Sequence, residues 1–150
     1  MSAQPHARPK IRPASIEDAP ILAELTTQLG YPSKPDDMVR RLRGMETQAG
    51  HVVLVYEADG AAMGWIHVFI RHSLEVDPHA EIGGLVVHEK CRSQGAGSAL
   101  VEAAERWARE HGCAAIRVRS NLIRTRTHGF YQKLGFSVVK DQKVFHKPLR

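Results

Sequence analysis

The stretch from Glu81 to His111 limits most narrowly what this 150-residue chain can fold into. An apolar run, Ile82 to Val87, leads through a short polar break into Arg92, Ser93, Gln94, Gly95, Ala96 and Gly97, and then into a long amphipathic pattern. A strand feeding a glycine-rich turn that opens a helix leaves the first backbone N–H groups of that helix without partners. Glycines let a ligand approach them closely. The segment therefore reads as an anion cradle suited to a pyrophosphate. In the helix that follows, Leu100, Ala104, Trp107 and His111 form one stripe, with Glu102/Arg106 and Glu105/Arg109 as i,i+4 pairs opposite, so its apolar face should cover a sheet.

Two common phosphate ligands are excluded by what surrounds these glycines. No Gly-Lys pair occurs in the chain, as the G-x-x-x-x-G-K-[S/T] loop of nucleotide triphosphatases requires. A dinucleotide fingerprint beginning at Gly95 and Gly97 would place Leu100 where a small residue is needed. What remains, R-x-x-G-x-G after a strand, resembles the acetyl-CoA-binding motif of the GNAT N-acetyltransferase family. Further on, Phe130-Tyr131-Gln132-Lys133-Leu134-Gly135-Phe136 resembles that family's F-Y-x-x-x-G-F signature, in the expected order. The resemblance runs more loosely over nearly the whole chain. It implies an α/β fold with a mixed, mostly antiparallel sheet of roughly six to seven strands, splayed at the cofactor strand, and about four helices on both faces.

The rest of the pattern agrees. Lys10 to Pro13 reads as an opening strand. Ser15 with an acid three residues on marks a helix start, Leu22, Leu25 and Leu29 form its stripe, and Gly30-Tyr31-Pro32 stop it. A second helix is expected near Asp36 to Met45. His51–Glu57 and Ala62–Arg71 flank Asp59-Gly60, a hairpin turn signal. Gly83-Gly84 inside the next strand indicate a bulge or a close backbone approach. A strand over Ala115–Arg119, a helix over Arg126–Leu134, and a closing hairpin of Phe136–Lys140 with Val144–Lys147 complete the expectation. One domain over residues 1–150 is expected, with 1–8 as a flexible arm.

Composition narrows the function classes. No apolar run approaches the roughly 18 residues of a membrane span, and the start carries no signal-peptide pattern, so a cytoplasmic setting without membrane contact is expected. Cys91 and Cys113 have no metal-ligand or C-x-x-C spacing, and neither a metal site nor a disulfide framework is indicated. The net charge of +5 comes from scattered basic residues, with only Arg117, Arg119, Arg124 and Arg126 clustered and no aromatic interleaving. Nucleic acid is therefore not the expected partner; a positive field suits the phosphates of coenzyme A.

Amine acetylation requires removal of a proton from an ammonium, donors for a developing oxyanion, and a proton for the leaving sulfur. Glu81, at the start of the cofactor strand, is the candidate general base, and Tyr131 is the general acid that the resemblance implies. The implied cofactor contacts are Leu85, Val86 and Val87 along the strand, Arg92, Gln94, Gly95, Ala96, Gly97 and Ser98 in the cradle, and Asn121 and Tyr131 beyond it. A backbone N–H near Leu85 or Val86 is expected to polarise the carbonyl. For Lys133 and Arg126 a solvated helix-face charge is preferred over a contact with the 3′-phosphate. Among nine histidines only His128, three residues before Tyr131, is placed in the cofactor cleft.

The acceptor side is expected to include Tyr31, Asp36, Asp37, Glu75, Asp77 and Glu81. This acidic lining suits a small cationic amine, and the pattern is similar to aminoglycoside and polyamine acetyltransferases. A protein or peptide amine is the alternative acceptor, and a non-catalytic acetyl-CoA-binding module the alternative class. The resemblance also implies a homodimer.

Overall fold

The computed structural model describes residues 8–120 and 125–149. Asn121 and nearly all of the expected N-terminal arm lie outside the described residues. Packing divides the chain into two compact units, 1–118 and 119–150.

The first unit holds a five-stranded sheet in chain order: β1 (Lys10–Pro13), β2 (His51–Ala58), β3 (Ala61–Arg71), β4 (His79–Val87) and β5 (Ile116–Val118). The first three junctions are antiparallel and the β4–β5 junction is parallel. Asp59 and Gly60 turn the β2–β3 hairpin with φ of 53° and 78°, the doubly positive geometry that matches the strand twist. Helices α1 (Ala19–Leu29) and α2 (Pro35–Glu46) join β1 to β2, and α3 (Ala96–Glu110) joins β4 to β5.

One sheet face packs Val55 and Trp65 against Ala19, Leu22 and Ala23 of α1 and Met38 of α2. Leu100, Val101 and Ala104 of α3 are fully buried, and a Cβ built on Gly64 would lie 3.3 Å from Leu100 Cδ1, which places α3 on the opposite face. The start of α1 is tied to the sheet by charge. The Ser15 N–H donates to Asp18 Oδ2 at 2.8 Å, and the Arg12 guanidinium donates to both Asp18 oxygens at 2.8 Å and to Glu57 at 3.0 Å.

Among the described residues five strands form where about six or seven were expected from the family resemblance. The missing pair is the closing hairpin: residues 136–149 of the second unit carry no regular structure, and Val138, Val139, Val144, Phe145 and Leu149 are exposed. A two-stranded ribbon needs an apolar surface to cover it, and these side chains are exposed. Among the described residues of the second unit the regular element is α4, Thr125–Lys133, closed by Gly135 at φ 96°.

Candidate active site

β5 pairs with β4 only at Ala80, Glu81 and Ile82. From Gly83 to Val87 the β5-side edge of β4 has no strand partner among the described residues, while the other edge stays paired with β3. The change coincides with a bulge, because His67 pairs with Gly84 and Val68 with Ile82, leaving Gly83 as the extra residue. This is the splay expected at the cofactor strand. It leaves the backbone of Leu85, Val86 and Val87 open to an extended amide-bearing ligand along one edge.

Both glycines are required by aromatic rings. A Cβ on Gly83 would lie 2.6 Å from His67 Nδ1 and 3.3 Å from Phe69 Cε1, and one on Gly84 would lie 2.7 Å from the Trp65 indole. His51, His67 and Phe69 stack mutually at 5.2–5.3 Å, and His51 Nδ1 lies 2.9 Å from His67 Nε2. Burial, reinforced by neighbouring His51, pushes the His67 imidazole down to about 4. Trp65 Nε1 is buried without a hydrogen-bond partner among the described residues.

Glu81 lies on this same face, opposite Phe69 on β3 and Arg117 on β5. Its residue is only 6% exposed, and Arg71 Nη1 stands 3.7 Å from its Oε2. A buried carboxylate needs such a partner. The candidate base is thus held next to the bulge, where the strand edge opens.

The cradle has the geometry the sequence suggested. After a short 3₁₀ turn at Glu89–Cys91, Ser93 and Gly95 adopt positive φ, 72° and 81°, and swing the chain into α3. Gly95 is the N-cap residue, and the N–H groups of Ala96, Gly97 and Ser98 occupy the helix's first turn, where no intrahelical acceptor exists. Arg92 is exposed at its rim, and Gln94 turns its side-chain amide back to the Lys90 carbonyl at 3.3 Å. The dipole of a 15-residue helix and these free donors fit a pyrophosphate.

In the second unit, Tyr131 is buried, its ring edge-on to Phe130 and Phe136, and desolvation pushes its phenol up to about 12. His128 is half-buried on the same helix. Among the acceptor-side residues, Tyr31 is exposed just after the α1 C-cap, and Glu75 and Asp77 are exposed in the β3–β4 loop. Asp37 caps α2 instead, accepting from the Lys34 N–H at 2.9 Å and from Arg40 at 3.1 Å, which holds its carboxyl below the usual range.

Sequence reasoning missed the row Trp65, His67, Phe69 and its partners His51 and Arg71. The alternation in β3 was the available signal, since Gly64, Ile66 and Val68 form the opposite, buried set.

The sequence pattern of the acetyltransferase (GNAT) family matches residues 19–136. A type 1 aminoglycoside N(6′)-acetyltransferase of Stenotrophomonas maltophilia is 28% identical over 145 residues, covering 94% of each chain. Among solved structures, an aminoglycoside 6′-N-acetyltransferase of Acinetobacter baumannii superposes with a TM-score of 0.83 at 24% identity, covering 95% of this chain and 99% of that one. An aminoglycoside N-acetyltransferase in complex with coenzyme A superposes with a TM-score of 0.86 at 20% identity, covering 99% and 100%. The chain belongs to the acetyltransferase (GNAT) family and is an acetyl-CoA-dependent N-acetyltransferase.

Proposed function

We propose that the protein transfers acetyl directly from acetyl-CoA to a primary amine of a small cationic molecule of aminoglycoside or polyamine type, within a ternary complex. The observation that carries this reading is the buried carboxylate of Glu81 beside the opened edge of β4. Aminoglycoside acetyltransferases among the relatives support the acceptor class, as does the exposed acidic pair Glu75 and Asp77 at the end of the same sheet.

Bound acetyl-CoA would supply an activated acyl group on a thiol leaving group. The first-turn N–H groups of α3 and the Arg92 guanidinium would hold its phosphates. The open backbone of Leu85, Val86 and Val87 would align its amide arm, with one N–H donating to the carbonyl oxygen as charge develops there. Glu81 takes the ammonium proton, directly or through water, which frees the amine lone pair. Tyr131, in a role that comes from the family resemblance, donates its proton to the departing sulfur. Its raised pKa keeps that proton in place at any working pH. Asn121 is assigned a cofactor contact on the same basis.

We place the enzyme in the cytoplasm, a setting that two free thiols suit, and assign it a homodimer. The exposed apolar side chains at 138, 139, 144, 145 and 149 support that assembly. Thiol release measured with acetyl-CoA and a panel of amines tests the activity. Turnover confined to peptide lysines or protein N-termini would move the acceptor to the alternative class.

A further inference from the structure

The sheet face that carries Glu81 also carries a pair of imidazoles to which the mechanism above gives no part. His51 Nδ1 and His67 Nε2 are 2.9 Å apart, so one ring donates to the other. Both rings stack on Phe69, the residue opposite Glu81, and this fixes their planes. The remaining nitrogen of His67, Nδ1, stands where a side chain on Gly83 would begin, 2.6 Å from the Cβ position. Gly83 itself is exposed, at the point where β4 parts from β5. His67 Nδ1 therefore occupies, from the neighbouring strand, the space beside Gly83 that a side chain there would take.

We infer that His67 belongs to the acceptor site, its Nδ1 lone pair taking a hydrogen bond from the acceptor's ammonium, and that His51 is the positioning residue that accepts from His67 Nε2–H and so fixes this tautomer. The inference rests on the proposed amine acetylation and deepens it: the site is built for an aliphatic ammonium with an N–H to spare for a neutral acceptor beside Glu81. A cation at the bulge selects the tautomer with Nδ1 unprotonated, because the other tautomer would aim an N–H at it. Burial keeps His67 uncharged near neutrality, so it does not repel the cation. The other charged or titratable groups on this face are Glu81 with its Arg71 partner, Arg117 opposite it on β5, His79, whose Nε2 is buried without a partner among the described residues, and, on β1 and β2, the ion-paired Lys10, Arg12 and Glu57. The buried side chains of α1 are Ala19, Leu22, Ala23, Leu25 and Thr26, none of which titrates.

The test is steady-state kinetics with spermidine and kanamycin for the wild type, His67→Phe, His67→Gln and His51→Phe, with acetyl-CoA KM and melting temperature measured alongside. His67→Phe should raise the amine KM about tenfold, the worth of one hydrogen bond to a charged group, with the acetyl-CoA KM within about twofold. His67→Gln, which keeps an acceptor, should recover part of that loss, and His51→Phe should give an intermediate rise. In the wild type the amine KM should climb as pH falls below about 5 and through the folded His67 value of about 4, more steeply than in His67→Phe. Should His67→Phe fail to fold, the His67→Gln and His51→Phe kinetics decide the matter. An amine KM within twofold of wild type in both His67→Phe and His51→Phe overturns the inference and leaves the acetyltransferase reading standing. Absence of amine-dependent turnover in the wild type itself overturns both.

Discussion

Trp65 lies across Gly84 so closely that a Cβ on the glycine would sit 2.7 Å from Cη2 and 2.8 Å from Cζ3 of the indole. The ring is wedged between the bulge and the core formed by α1, so neither side can yield freely. Gly84→Ala should cost about 1–3 kcal/mol through overpacking and lower amine turnover by disturbing the strand beside Glu81. Gly44→Ala is the control. Nothing lies within 4 Å of that Cβ position inside α2, and the change should stabilise by about 0.5–1 kcal/mol. Thermal melts of the two variants should move in opposite directions.

Arg12 joins β1, the start of α1 and β2 through Asp18 and Glu57. Hydrogen bonds from Arg12 hold the Asp18 carboxyl well below the usual carboxylate range. A depressed folded pKa contributes stability that is present above the unfolded value near 4 and is lost as pH falls through the folded value. Arg12→Met should therefore cost about 1–3 kcal/mol at pH 7, and the gap to wild type should narrow below pH 4. Urea midpoints at pH 7 and pH 3 check this, and an equal gap at both would contradict it.

His67 adds a separate acid limb. Its folded pKa is depressed to about 4 from 6.5. For a base that is cationic when protonated, stability is full above the unfolded value and declines between pH 6.5 and 4. His67→Phe should flatten the dependence of melting temperature on pH in that window and leave the steeper loss below it unchanged.

In the cradle, a Cβ on Gly95 meets nothing within 4 Å, yet its φ of 81° is a conformation that L residues adopt at a cost of roughly 1–2 kcal/mol. Gly95→Ala should fold and bind acetyl-CoA about tenfold more weakly. Arg92→Ala should weaken binding too, with the loss shrinking as salt rises, since the residue is exposed. Calorimetric titration at low and high salt separates the two effects.

The cradle, the strands and the helices up to α4 were legible because each rests on a local pattern: glycines at a helix start, alternation, or an i,i+3 stripe. The bulge at Gly83 was legible for the same reason. The His51–His67 pair was not, and the cause is a single residue. With the Asp59-Gly60 turn alone, Ala58 pairs with Ala61 and a regular ladder would set His51 opposite Val68. A second bulge, with Met63 as the extra residue, moves His51 opposite Phe69. A shift of one flips the face, and so brings His51 onto His67. The closing hairpin failed for a different reason: Val138, Val139, Val144 and Phe145 have strand-forming side chains, but pairing needs a covering surface that no local pattern specifies.

The central claim is that the protein acetylates a small cationic amine, with Glu81 proposed as base and Tyr131 as the acid that the family resemblance implies. Release of coenzyme A thiol should be followed across aminoglycosides, polyamines, amino acids and basic peptides for the wild type and Tyr131→Phe. Turnover that requires an aminoglycoside or polyamine and falls about 10²-fold or more in the variant is the predicted result. Acetyl-CoA binding with no turnover on any amine, or equal turnover in Tyr131→Phe, would contradict it.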